Sequence, residues 1–192
     1  MSYEPVIGLE IHCQLKTKSK MFCGCPSGAR NNADFNADKR GNEEEPNTRT
    51  CPVCMGHPGT LPVANRQALE WTFLLGLALN AEIAPQFNFE RKQYFYPDLP
   101  KAYQITSQTT PPLIGGYLEL DADGFRSPTS KDARMSDFGT NRKKRFTIEH
   151  IHLEEDAGKL IHINADSRGL SADKHGYSLV DLNRAGTPLL EI

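Results

Sequence analysis

Four cysteines in two close pairs impose the strongest constraint on how this chain can fold. Cys23 and Cys25 flank a single glycine. Cys51 and Cys54 flank a proline and a valine. A tetrahedral zinc ion needs four ligands from two tight turns, and closely spaced cysteine pairs supply two ligands each. The spacing therefore predicts a structural zinc knuckle within residues 22–57.

The segment around these cysteines has little apolar material of its own. Residues 17–60 are polar, rich in turn-forming residues and without apolar periodicity. A metal cross-link contributes most to a segment of this kind. Two alternatives stay open, namely unliganded thiols and a thioredoxin-like redox role for Cys51 and Cys54, although no strand–helix–strand pattern surrounds that pair. His57 is a possible substitute ligand.

The overall composition limits the class of protein. The chain has 192 residues, 38% of them hydrophobic, which suffices for a packed core and excludes wholesale disorder. The formal net charge of −2 argues against nucleic-acid binding through bulk charge. The N-terminus carries no basic and apolar leader, and the longest apolar run, residues 71–79, is too short to cross a bilayer. We expect a soluble cytoplasmic protein without membrane contact.

Apolar periodicity predicts a helix and several short strands. Asn65 is a plausible N-cap of a helix that runs through Leu79, and apolar residues nearly encircle it, which predicts that the helix is largely buried. Residues 6–16 alternate as in a strand, so that Glu10 and His12 project side by side from one surface.

The remaining strands are shorter. They are expected near residues 87–96, 102–106, 115–120, 146–154 and 177–183. The strand at residues 115–120 is followed by a turn at residues 121–124 and by Phe125, a pattern typical of a hairpin. Residues 126–145 form a polar excursion. The apolar phase changes along residues 146–154, which predicts a bulge or break near His150.

One acidic motif stands beside an apolar strand end. Glu154, Glu155 and Asp156 follow one another directly after His152-Leu153. Like charges this close repel unless a cation lies among them, which favours a magnesium site. A solvated strand end explains the same residues equally well.

Four strings occur in one order along the chain and carry a resemblance to a known family. They are Val6-Ile-Gly-Leu-Glu-Ile-His12, Arg91-Lys-Gln-Tyr-Phe-Tyr-Pro-Asp-Leu-Pro-Lys-Ala-Tyr-Gln-Ile105, His152-Leu-Glu-Glu-Asp-Ala-Gly-Lys159 and Asp181-Leu-Asn-Arg-Ala-Gly-Thr-Pro-Leu-Leu-Glu191. Together they closely resemble the B-type subunits of the aspartyl/glutamyl-tRNA(Asn/Gln) amidotransferases, with the archaeal E-type subunits as near relatives. The resemblance extends from residue 4 to residue 192.

The resemblance implies a fold. It implies an α+β domain with mostly antiparallel sheets and a buried helix, similar to the catalytic domain of glutamine synthetase. Residues 1–192 correspond to the N-terminal part of that domain, with the zinc knuckle as an excursion, and the helical and tail domains of the family are absent. Two departures are Gln93, where the family usually has Asn, and Ala102, where it usually has Gly.

The resemblance also implies an activity. The family's enzymes are heterotrimers that convert misacylated Glu-tRNA(Gln) or Asp-tRNA(Asn) to Gln-tRNA(Gln) or Asn-tRNA(Asn). The B-type subunit transfers the γ-phosphoryl group of ATP to the tRNA-borne carboxylate. Ammonia, released from glutamine in the amidase subunit of the same heterotrimer, then displaces phosphate. By this resemblance the protein is a carbon–nitrogen ligase, inactive as 192 isolated residues, and its partners are the amidase, a small third protein and the misacylated tRNA.

The resemblance assigns site residues. The expected catalytic and Mg²⁺-binding residues are Glu10, His12, Glu155 and Glu191. The expected contacts to ATP phosphates or substrate are Arg91, Lys92, Lys101 and Arg184. The cysteine quartet corresponds to a zinc knuckle that only some family members have, so a structural role is implied for it.

Two other function classes remain as alternatives. A non-catalytic scaffold with a zinc knuckle that docks onto the amidase would depend on the cysteines and tolerate loss of Glu10, His12 and Glu155. A nucleic-acid-binding zinc protein would need more basic residues around the knuckle than the chain supplies.

Overall fold

The computed structural model describes residues 3–4, 6–27, 45–121, 143–163 and 176–192. Within this part of the chain, short antiparallel strands predominate and one α-helix is present. The elements are β1 His12–Gln14, α1 Arg66–Ala78, β2 Glu82–Ile83, β3 Glu90–Gln93, β4 Tyr103–Thr106, β5 Leu113–Ile114, β6 Tyr117–Asp121, β7 Lys143–Thr147, β8 His150–Glu155, β9 Lys159–Ile163, β10 Tyr177–Asp181 and β11 Pro188–Glu191. The expectation of a sheet-rich fold with mostly antiparallel pairing is confirmed.

The main sheet comprises seven of the described strands. Its order is β1-β11-β8-β4-β3, and β5 joins it through β8 and continues to β2. Along one row, His12 pairs with Glu191 and Glu191 pairs with His152. Alternate residues of a strand point to opposite faces, so these three share one face. We call it the cleft face, and we call the side of Ile151, Leu153 and Leu190 the core face.

The helix begins as the sequence predicts. The Asn65 side chain accepts hydrogen bonds from the backbone N–H groups of Gln67 and Ala68, which satisfies donors that the first turn leaves free. The prediction that the helix is largely buried is wrong: it buries a stripe of small residues, while Leu74 and Leu77 are each 62% exposed.

Close packing explains why that stripe consists of small residues. The stripe is formed by Ala68, Thr72 and Gly76. A Cβ at Gly76 would lie 2.4 Å from the side chain of Leu113, so any larger residue there would have to displace Leu113. Leu113, Ile151 and Leu190 belong to the apolar core that forms between α1 and the core face.

The predicted break near His150 is confirmed. Strand β7 ends at Thr147 and pairs with β6, whereas β8 starts at His150 and enters the main sheet. A second hairpin joins β9 to β10. The sequence patterns do not predict β2, β5, β9 and β11. Residues 28–44 of the knuckle and 122–142 of the hairpin turn and polar excursion lie outside the described residues; the end of the excursion, residues 143–145, belongs to β7.

The first strand is shorter than predicted. Only His12–Gln14 of residues 6–16 pairs as a strand, although Ile11 also exchanges backbone hydrogen bonds with Ile192. Ile7 and Leu9 are 83% and 78% exposed, so alternation here does not correspond to burial. Among the described residues, no helix is long and apolar enough to cross a bilayer.

Ala102, one of the two noted departures, adopts an unusual backbone conformation. Its φ is 61°, in the left-handed region, and it closes a turn in which its N–H donates to the Leu99 carbonyl. Glycine adopts this conformation without the steric cost that alanine meets. The turn sets the start of β4 and the position of Lys101.

Candidate functional site

A cleft of about 710 Å³ opens on the cleft face, a size typical of ligand sites. Polar and charged side chains from β1, β3, β4, β8 and β11 contribute to it. Its lining residues include Glu10, His12, Gln14, Lys92, Tyr94, Gln104, Glu154, Asp156, Arg184 and Glu191. The sheet register thus gathers residues from both ends of the chain.

A carboxylate–imidazole cluster, formed by His12, Glu154 and Glu191, lies in this cleft. One ligand atom from each of the three lies within 4.8 Å of the others. His12 Nε2 is 3.2 Å from Glu191 Oε2. Carboxylate oxygens and imidazole nitrogens are common donors to divalent cations. This donor set fits a single cation.

Glu154 is the buried member of the cluster. It is 2% exposed, and its Oε2 atom has no hydrogen-bond partner in the structure. Burial raises the pKa of Glu154, but His152 and Lys92 outweigh burial, so the net shift lowers the pKa of this carboxyl. A buried carboxylate oxygen without a partner is costly unless a cation or water meets it.

Glu155, the carboxylate expected in the metal site, does not join the cluster. It follows Glu154 directly and points to the core face, where its carboxylate pairs with buried Lys101. It also accepts a hydrogen bond of 2.9 Å from the Ile105 backbone N–H. Burial raises the pKa of Glu155, against the opposing effect of Lys101. Its surroundings suit a structural ion pair.

The four expected phosphate contacts divide between the two faces. Lys92 and Arg184 line the cleft. Arg91 is on the other side of β3, with its guanidinium 5.3 Å from the Tyr103 ring centre. The Lys101 side chain is 7% exposed and forms an ion pair with Glu155. The structure brings two of the four to the carboxylate–imidazole cluster.

Arg184 is held at the cleft by the chain that follows β8. Its guanidinium donates to the carbonyl of Ala157 at 3.0 Å and to that of Gly158 at 2.6 Å, and it lies 3.5 Å from Asp156 Oδ2. A Cβ at Gly158 would approach the carbonyl oxygens of Asp181 and Asp98 to within 2.9 and 3.0 Å. This glycine therefore permits the close backbone packing that positions Arg184.

Glu10 and His12 face the same side, as the alternation predicts. Both line the cleft together with Gln14, although Glu10 precedes the strand. His12 is 51% exposed at its side chain and Glu191 is 14% exposed. The cluster is therefore accessible from the His12 side and buried on the Glu154 side.

The second candidate metal site is the cysteine cluster of Cys23, Cys25, Cys51 and Cys54. Their sulfurs all lie within 4.8 Å of one another. The Cys51 and Cys54 sulfurs are 3.9 Å apart, which suits a tetrahedral zinc ion, since Zn–S bonds of about 2.3 Å place two sulfurs about 3.8 Å apart. The four cysteines can hold a metal ion.

Lys20 borders the cysteine cluster, and no pattern in the sequence points to it. It is fully buried, and its Nζ atom donates to the carbonyls of Arg49 at 2.7 Å and Leu182 at 3.3 Å. Nζ also lies 3.6 Å from the Cys54 sulfur. Hydrogen bonding from Cys23 lowers the pKa of Cys54, and Lys20 acts in the same direction. This environment favours a thiolate.

Comparison with known proteins adds independent findings. A family model described as "GatB/GatE catalytic domain" matches residues 5–192. The B subunit of the aspartyl/glutamyl-tRNA(Asn/Gln) amidotransferase of Thermosynechococcus vestitus is 48% identical over 192 residues, which cover 100% of this chain and 33% of the relative.

Two further relatives of the same name are similarly close. The protein of Thermodesulfovibrio yellowstonii is 47% identical over 192 residues, covering 100% of this chain and 32% of the relative. That of Methanoregula boonei is 44% identical over 187 residues, covering 97% and 32%. The chain spans about a third of the length of the curated relatives it matches.

Proposed function

Because the chain belongs to the GatB/GatE catalytic domain family, we propose that it forms the ATP-dependent, amide-forming site of a tRNA-dependent amidotransferase. In this proposal the γ-phosphoryl group of ATP is transferred to the side-chain carboxylate of Glu-tRNA(Gln) or Asp-tRNA(Asn), and ADP leaves. Ammonia then attacks the acyl phosphate, phosphate leaves, and the amide remains. Phosphorylation is needed because a carboxylate oxygen is by itself a poor leaving group.

The carboxylate–imidazole cluster at the base of the cleft is the observation that carries this proposal. His12, Glu154 and Glu191 offer donors to one cation within 4.8 Å of one another. A bound Mg²⁺ would supply charge neutralisation for the triphosphate. We assign this ligand set with Glu154 in place of Glu155, because Glu155 lies on the core face and is paired with Lys101.

The remaining charged residues of the cleft bind and orient substrates in this proposal. Lys92 and Arg184 line the cleft with the cluster, so they contact phosphate oxygens of ATP. Glu10 stands at the same side as His12 and contacts the cation through water. Lys101 and Arg91 do not contact phosphate, since both lie on the core side of the sheet.

The broader assignments come from the family resemblance and belong to the proposal. The protein is part of a cytoplasmic carbon–nitrogen ligase, a heterotrimer in which an amidase supplies ammonia from glutamine and a small third protein completes the assembly. Its sheet is the N-terminal part of a domain similar to glutamine synthetase. The cysteine cluster binds structural zinc. A purely scaffolding role is not favoured, because it would not explain why charged residues line the cleft.

Two neighbouring glutamates provide a matched test. In the native protein, assembled with the subunits it purifies with, transfer of labelled γ-phosphate from ATP to Glu-tRNA(Gln) is measured without glutamine. We expect Glu154→Gln to abolish transfer while the complex still assembles, and Glu155→Gln to retain transfer per folded molecule but unfold at lower temperature. Equal transfer by wild type and Glu154→Gln would contradict the proposed site. A transfer defect confined to Glu155→Gln would favour Glu155 as the ligand, as the family resemblance implies.

A further inference from the structure

Arg184 lies in the turn that joins β10 to β11, residues 182–187, and this turn is held from two sides. On the cleft side, the Gly186 N–H donates a hydrogen bond of 2.8 Å to the Asp156 carbonyl. The other side of the turn is bound by residues 45–49, the segment that precedes the second cysteine pair.

Asn183, which directly precedes Arg184, joins the turn to this segment. It is 4% exposed. Its side-chain amide accepts a hydrogen bond of 2.8 Å from the Arg49 N–H and donates one of 2.9 Å to the Glu45 carbonyl. Because both ends of the amide are used, the backbone beside Arg184 is fixed to the segment.

Asn47 makes the matching contacts from the segment to the turn. Its side-chain amide donates to the Val180 carbonyl at 3.0 Å and accepts from the Leu182 N–H at 2.8 Å. Its φ of 60° lies in the left-handed region, which asparagine enters more readily than most residues. We call Asn47 and Asn183 the asparagine pair.

Lys20 ties the same two parts of the chain together from the inside. Its buried ammonium group donates to the carbonyl of Arg49 on the segment and to that of Leu182 on the turn. An ammonium group has three donors, and the third is directed at the Cys54 sulfur. The segment, the turn and the cysteine cluster therefore form one connected unit.

We propose that the asparagine pair positions Arg184 for the phosphates of ATP, so that residues 45–49 control nucleotide affinity without touching the nucleotide. An arginine side chain has high rotamer entropy, and a group already fixed in its binding position loses less of it when the ligand binds. The Ala157 and Gly158 carbonyls hold the guanidinium, and the asparagine pair holds the backbone end. The inference rests on the proposed function, which assigns ATP phosphate to Arg184, and adds positioning residues to it.

A double-mutant cycle on ATP affinity tests whether the asparagine pair acts through Arg184. The Kd of labelled ATP is measured by equilibrium binding to the native protein with its partner subunits. We expect Asn183→Ala and Arg184→Met each to weaken ATP binding by about tenfold. The double variant should bind ATP no more weakly than Arg184→Met, because the asparagine then has nothing left to position. Additive losses, or an unchanged affinity in either single variant, overturn the proposal.

Asn47→Gly gives the answer if Asn183→Ala does not assemble. Asn47 is exposed, and glycine adopts its φ freely, so this change removes only the side-chain hydrogen bonds. ATP binding should weaken by about threefold, and not at all in the Arg184→Met background. Thr60→Ala is the control, since it removes a hydrogen bond of 2.8 Å to the His57 carbonyl in the loop after the cysteines. An equal loss in Thr60→Ala would be a general effect on stability and would overturn the proposal.

The proposed function fails or stands separately in the same samples, because transfer of labelled phosphate to Glu-tRNA(Gln) is measured beside ATP binding. If the affinities follow the cycle but no phosphate is transferred by the wild type, the asparagine pair positions Arg184 and the proposed reaction is wrong. If phosphate is transferred and ATP affinity does not depend on the asparagine pair, the reaction stands and the positioning role is overturned. Absence of ATP binding by the wild type overturns both.

Discussion

The two faces of the main sheet carry candidate metal sites of opposite character. On the core side, four sulfurs lie within 4.8 Å of one another, with buried Lys20 against one of them. On the cleft face, two carboxylates and an imidazole meet at the base of a cleft of about 710 Å³. One strand serves both sides, because β8 presents Glu154 to the cleft and Glu155 to the core.

The difference leads us to expect that the core-side site stabilises the fold and that the cleft site binds the reacting groups. Four thiolates complete a tetrahedral zinc ion and leave no position for substrate, which is the pattern of structural sites. A partly open set of oxygen and nitrogen donors leaves positions for phosphate or water. Substitutions on the core side should therefore change the free energy of unfolding, and those in the cleft should change binding and turnover.

The largest expected effect on stability comes from a cysteine of the cluster. Cys54→Ser should lower the free energy of unfolding by more than about 5 kcal/mol, because structural zinc contributes about 10–16 kcal/mol of apparent binding free energy in zinc-finger peptides. Zinc content and urea unfolding are measured together. Cys13→Ser is the control, since Cys13 is exposed and outside the cluster; it should change stability by less than about 0.5 kcal/mol. Equal losses would contradict a metal role.

The next largest effect is expected at the buried ion pair of the core side. Lys101→Met removes the partner of Glu155, and both side chains are at least 90% buried. An uncompensated buried carboxylate costs about 3–5 kcal/mol. Urea unfolding should show this loss, and adding Glu155→Gln should recover part of it. Lys16→Met, at an exposed position, serves as control. If the double variant is as unstable as Lys101→Met, the pair is not what stabilises this side.

A smaller effect is expected where the helix meets the cysteine loop. Asn65 caps α1 and its side-chain amide also donates to the carbonyls of Ser19 at 2.9 Å and Lys20 at 3.2 Å. Asn65→Ala should cost about 1–2 kcal/mol in a thermal or urea unfolding experiment, as loss of an N-cap does. Asn65→Ser keeps a capping oxygen and loses the donors to Ser19 and Lys20, so it should cost less. A loss as large as that of Cys54→Ser would mean that hydrogen bonds, not metal, order the loop.

Local signals in the sequence predicted much of the fold. The N-cap of α1 and the break near His150 follow from side-chain chemistry and alternation over a few residues, whereas the mostly antiparallel pairing was implied by the family resemblance. The exposure of Leu74 and Leu77, in contrast, depends on what packs against the helix. Apolar content along one element does not reveal whether a partner covers it.

For the candidate site, strand alternation places Glu154 on the face of His152, whereas the family resemblance led us to expect Glu155 in the metal site. His152 and Glu154 are two residues apart and therefore share a face, whereas Glu155 shares the phase of Leu153 and Ile151 and points to the core. The register that joins His12 to Glu191 and Glu191 to His152 spans the whole chain, so no local pattern contains it. Lys20 was missed for the same reason, since its partners come from distant loops.

The smallest effect on stability, and the sharpest contrast with the cysteines, is expected for Glu191→Gln. Without added divalent cation, this change should alter the free energy of unfolding by less than about 1 kcal/mol, because Glu191 is partly exposed and near a second carboxylate. With Mn²⁺ at 100 times its dissociation constant, the wild type should gain about 2.7 kcal/mol, as binding linkage requires. The variant should gain almost none in parallel urea titrations. A cation-free loss comparable to that of Cys54→Ser would make the cleft cluster a structural site and remove the division between the two faces.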